Sequence, residues 1–119
     1  MLKSKIIAIV YQPNAIGSVS KAEKMFRDIF SEMEEEGKEV RNSADNYVAF
    51  EDGSKIFKVK MGEALIGRRV THLYVENSIK NVENGEEFVN VALKPFVISQ
   101  GDYANIDASD SVNDRIKYF

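Results

Sequence analysis

The chain has 119 residues, a length suited to a single domain, and 44% of them are hydrophobic, with seven Phe and five Tyr, which supplies a real core and argues against global disorder. It has no Cys and one His, which excludes disulfides, thiolate metal centres and multi-histidine metal sites. A formal net charge of −3 disfavours a broad nucleic-acid-binding surface.

Ile6, Ile7, Ala8, Ile9, Val10 and Tyr11 form a continuous apolar run rich in β-branched residues. Such a run fits a strand buried on both faces, typical of a parallel sheet covered by helices. It is too short for the core of a signal peptide with a cleavage site, and no stretch approaches a membrane span, so a soluble, cytoplasmic protein is expected. The loop at 12–19 carries Pro13 and Gly17. It lies between a strand and a helix, where phosphate-binding loops lie, but it lacks the G-x-x-x-x-G-K-[ST] pattern and reads as an ordinary connection.

Residues 20–36 carry the clearest helical pattern. Ser20 with Glu23 predicts a capping box. Ala22, Met25, Phe26, Ile29, Phe30 and Met33 follow helical spacing and predict a core stripe, and Gly37 stands where a helix stops. Glu34, Glu35 and Glu36 sit at the unfavourable end of the helix dipole and read as a solvated face, with a patch for a basic partner as the alternative.

Residues 47–50 and 55–60 predict a β-hairpin turned at Asp52-Gly53. Its second arm bears Lys55, Lys58 and Lys60, which with Arg68 and Arg69 make up the cationic cluster of the chain. A solvated edge strand protected by lysines is the common explanation; contact with an anion or nucleic acid is the other. Residues 70–75 predict a strand containing His72, read as a packed or hydrogen-bonded residue. The strand ends on Glu76 and Asn77. Ligands of open α/β sheets bind at the carboxyl ends of strands, so Glu76 stands where a magnesium ion or nucleotide would be. The plain alternative is a buried strand that ends in a solvated Glu.

A polar loop is expected over 77–85 and a helix over 86–94, with Phe88, Val91 and Ala92 on one side and Pro95 at its end. Phe96, Val97 and Ile98 fit helix or strand equally. From 101 to 119 the chain turns polar, and loosely ordered turns are expected, with a short helix near 112–118. The whole reads as one α/β domain over 1–119: a mixed, mostly parallel sheet with a β-hairpin, and helices packed on it.

Taken together, the run 6–11, the helix 21–36, the turn Asp52-Gly53-Ser54-Lys55-Ile56 and the stretch Ile66-Gly67-Arg68-Arg69-Val70-Thr71-His72-Leu73-Tyr74-Val75-Glu76-Asn77 resemble the part of a phage large-terminase or helicase-like ATPase core that follows the phosphate loop. Residues 86–99 resemble the helix after the acidic motif. The resemblance covers roughly residues 5–100. It implies a phage or prophage origin, and host cytoplasm as the place of action. The departures are chemical. The lysine-bearing phosphate loop is missing, Glu76 replaces the Asp that would hold magnesium, and Asn77 replaces the Glu that would activate water. An amide cannot serve as general base, and without the cradle phosphoryl transfer loses most of its positioning. The resemblance therefore implies a degenerate, non-hydrolysing relative.

Three readings follow in order. The first is a non-catalytic binding or regulatory protein acting through protein–protein contacts, with no cofactor. The second is a metal-dependent enzyme acting on nucleotide or nucleic acid, with magnesium held by Glu76 and by Asp45 or Asp102. The third is a weak nucleic-acid binder using Lys55, Lys58, Lys60, Arg68 and Arg69. Candidate ligand-binding residues are Gly67, Arg68, Arg69, Glu76 and Asn77. The oligomeric state is open.

Overall fold

The structure, a computed structural model, describes residues 4–62, 70–93, 97 and 115–119. β1 (Ile6–Tyr11) is an interior strand, as its unbroken apolar run requires. It is flanked on both sides by parallel partners, β4 (Lys55–Lys60) and β5 (His72–Val75). β3 (Tyr47–Phe50) pairs antiparallel with β4, and β2 (Val40–Ala44) pairs antiparallel with β3. β6 (Ile116–Tyr118) adds parallel to β5, completing a six-stranded mixed sheet in the order β2-β3-β4-β1-β5-β6. This is the expected α/β architecture.

Alternation along β1 divides the core in two. Ile7, Ile9 and Tyr11 face α1 (Ser18–Glu35), which meets them with Ala22, Ile29 and Met33 fully buried and Met25, Phe26 and Phe30 partly so. Ala8 and Val10 face the other way. There Leu73 and Val75 join Ile79 of a 3-10 helix (Asn77–Asn81), then Val89 and Leu93 beyond α2 (Gly85–Phe88). Gly85 permits a close backbone approach, since a methyl group there would overlap the carbonyl oxygen of Ile79.

α1 ends in a Schellman motif. Gly37, at φ 89°, donates to the Glu34 carbonyl and Lys38 donates to the Met33 carbonyl. Lys38 then turns inward, and its Nζ lies 2.6 Å from Asp52 Oδ2. This ties the helix end to the β3–β4 turn, where Asp52 Oδ1 also accepts from the Ser54 amide at 2.8 Å.

Several expectations are corrected. The helix starts at Ser18, two residues before the expected cap; Gly17 is its N-cap, in the left-handed region, and no capping-box bond forms. The first turn is anchored instead by the buried Ser18, whose Oγ accepts from the Gln12 amide at 2.9 Å. The hairpin does not end the sheet, because β2 pairs outside β3; the lysine-bearing β4 lies between β3 and β1 and is interior, not an edge. The polar loop after β5 contains the 3-10 helix, whose Ile79 is buried. The expected helix over 86–94 is α2 followed by a π-helical turn, Val89–Leu93; Val89 and Leu93 are buried while Val91 is exposed. Val97 forms a parallel bridge with Val70, which decides for extended pairing at that point. Residues 116–118 are strand, not helix. The remainder of the expected polar tail, 101–114, lies outside the described residues, as do Ala92's side chain, Pro95, Phe96 and Ile98.

Candidate functional site

The chain leaves β1 towards the β4 side of the sheet, with α1 on one face. It leaves β5 towards β6, with the 3-10 helix and α2 on the opposite face. The connections thus diverge between β1 and β5, and the carboxyl ends of those two strands form the crevice where open α/β sheets receive ligands. Gln12 follows β1 there, and Glu76, Asn77 and Ser78 follow β5.

The polar groups at this point are engaged with one another. Glu76 is 1% exposed, which corrects the expectation of a solvated acid. It is the N-cap of the 3-10 helix, and its carboxylate accepts from the Ser78 amide. This satisfies one of the backbone donors that a helix start leaves without a partner. The Ser78 hydroxyl donates to Gln12 Oε1 at 2.9 Å, bridging the two loops. The Asn77 amide donates to the Phe119 carbonyl at 2.6 Å, and the Phe119 amide to the Val75 carbonyl at 3.0 Å, so the chain after β6 is laced to the same corner.

A divalent cation finds a poor donor set here. Among the described residues the side-chain carboxylate that follows β5 here is Glu76, and it already caps the 3-10 helix. No group of three or more His, Asp or Glu placed to hold a metal occurs among the described residues. Asp45 lies in the β2–β3 turn, three strand positions from β5. At about 4.8 Å per position that is roughly 14 Å, too far to share an ion with Glu76. Asp102, Gly67, Arg68 and Arg69 lie outside the described residues.

The three lysines of β4 do not share a face. By alternation Lys55 points to the α2 side and Lys58 and Lys60 to the α1 side. Lys55 stands at the amino end of the strand, opposite Ile6, and Lys60 at the carboxyl end, opposite Tyr11. Lys58 is half-buried, with its Nζ 5.7 Å from the centre of the Phe26 ring, so part of its role is to cover the helix. His72 is half-buried and its Nδ1 lies 2.7 Å from Thr71 Oγ1, in keeping with a hydrogen-bonded structural residue.

Sequence reasoning passed over Ile16. In the loop joining β1 to α1 its side chain is fully exposed, and Val19, on the first turn of α1, is 40% exposed beside it in sequence. A single large apolar residue among Pro13, Asn14, Ala15 and Gly17 was the available signal. No helix among the described residues is long and apolar enough to cross a membrane. Comparison with known protein families, with curated proteins and with solved structures finds no match for this chain.

Proposed function

We propose that this chain is a non-catalytic binding module that acts through protein contacts at the carboxyl end of its sheet. The observation that carries the reading is the contrast within one corner of the fold. The polar groups of the crevice, Gln12, Ser18, Glu76 and Ser78, are hydrogen-bonded internally, while Ile16 on the adjoining loop is wholly exposed. A corner of this kind has little left to grip a nucleotide, yet it presents an apolar anchor that a protein partner with a complementary pocket would desolvate. The resemblance to the terminase-like ATPase core fits the same reading, as a reduced relative of phage origin that kept the sheet without the phosphate cradle. The alternative of a magnesium-dependent enzyme would require Glu76 to release the Ser78 amide before it could meet a metal ion.

The test places a photo-crosslinking residue at position 16 in the natural host. A discrete crosslinked protein that is lost in an Ile16→Asp background supports the reading. Crosslinks no different from those obtained at an exposed control position such as Lys21 would sink it.

A further inference from the structure

At the amino end of the sheet, remote from the switch point, Arg115 immediately precedes β6 and is only 4% exposed. Its Nη1 donates to the Thr71 carbonyl at 3.5 Å, the outer limit of a hydrogen bond. Its Nε and Nη2 are buried and have no hydrogen-bond partner among the described residues. The ion pairs formed among the described residues are Lys5–Glu36, Lys24–Asp28 and Lys38–Asp52, so no described carboxylate neutralises it.

Burying an unpaired cation is among the costliest features a fold can carry, and an arginine does not shed its charge on burial. The Nε–Nη2 edge is also the side of the guanidinium that grips two oxygens at once, through parallel N–H donors held in a rigid plane. The described surroundings do not satisfy it. Thr71 Oγ1 is already engaged with the Ile6 backbone and with His72 Nδ1. Ile6 and His72, the partners of Thr71 Oγ1, and Ile116, the next residue along the chain, are half-buried at this end of the sheet.

We propose that Arg115 anchors an oxyanion site, taking the phosphate or carboxylate group of a small ligand through its Nε–Nη2 edge. The site is independent of the protein-contact corner at the opposite end of the strands. Binding there pairs the buried charge and stabilises the fold by mass action.

The experiment follows the nitrogen-15 resonance of Arg115 Nε in the full chain, assigned by its loss in Arg115→Lys. Inorganic phosphate and acetate are titrated separately, at ionic strength held constant with chloride. The expected result is a saturable shift of that resonance alone among the arginines. Melting temperature should rise with the same anion in the natural protein, and that rise should be lost in Arg115→Met. A response to phosphate only assigns a phosphoryl ligand, and a response to both anions assigns a site for either oxyanion. Shifts that are absent or fail to saturate with both anions overturn the proposal, as does an equal rise in melting temperature for Arg115→Met. Should Arg115→Met not fold, the titration of the natural protein decides alone.

Discussion

The hydroxyl of Ser78 donates to the side-chain carbonyl of Gln12 at 2.9 Å, joining residues 66 apart in sequence across the carboxyl ends of β1 and β5. The bond closes the corner where the fold would otherwise open towards a ligand. Gln12→Ala and Ser78→Ala should each cost about 1 kcal/mol, the usual net worth of a part-buried hydrogen bond. The double variant should cost measurably less than the sum, because the two groups serve the same interaction. Chemical denaturation of the four proteins measures this, and strict additivity would show that the bridge does not form in solution.

Glu76 acts on the fold as a buried cap. Glu76→Ala leaves the Ser78 amide without its acceptor and should destabilise by about 1–3 kcal/mol. ATP with magnesium should give no phosphate release from either protein, since the sequence carries no G-x-x-x-x-G-K-[ST] phosphate loop and the Glu76 carboxylate is taken up by the Ser78 amide. Turnover by the natural protein that disappears in Glu76→Ala would instead promote the enzyme reading.

The stripe of α1 packs as its spacing indicates, but the weight does not fall on its phenylalanines. Phe26 and Phe30 are partly exposed, whereas Met33 is 2% exposed and Phe50, which meets Phe30 edge-on at 5.9 Å between ring centres, is 1% exposed. Phe50→Ala should therefore cost about 3–5 kcal/mol and Met33→Ala about 2–5 kcal/mol. Phe26→Ala should cost clearly less than either. Thermal or denaturant melts rank the three, and a reversed order would mean that the helix lies on the sheet differently.

The Lys38–Asp52 pair makes stability depend on pH. Burial by itself raises the Asp52 pKa, but hydrogen bonds from Lys38 and Ser54 and the Lys38 charge outweigh it, holding the carboxyl below its ordinary value. A carboxyl depressed in the folded state stabilises fully above its unfolded pKa, and that stability is lost as pH falls through the lower, folded value. Asp52→Asn should thus lower the urea midpoint at neutral pH, and the gap to the natural protein should close below about pH 3–4. A gap that stays constant over that range would show that the pair contributes nothing through charge.

Much of the frame was legible in the residues. β1 announced itself because burial on both faces demands an unbroken apolar run. α1 did so through its 3.6-residue period and the glycine that ends it, and β3–β4 through the Asp52-Gly53 turn. These signals are local, each readable within one turn or one strand. The start of α1 was not legible: the spacing pointed to Ser20, and the contact between Ser18 Oγ and the Gln12 amide, which holds the earlier turn, depends on the packing of the loop.

By itself, then, the sequence determined an α/β domain whose interior strand is β1, with α1 packed along it, since backbone preference and hydrophobic period act over a few residues. Only the tertiary structure decided the rest. β2 is exposed at all five of its residues, so no buried face marks it with a period, and its pairing with β3 alone makes it a strand. β6 becomes strand because β5 offers it an edge. The burial of Glu76, the separation of Lys55 from Lys58 and Lys60, the exposure of Ile16 and the Arg115 edge that no described residue pairs all depend on which distant residues arrive beside them. Composition cannot state this, because a side chain's charge is local to it but the partner that satisfies it is chosen by the whole fold.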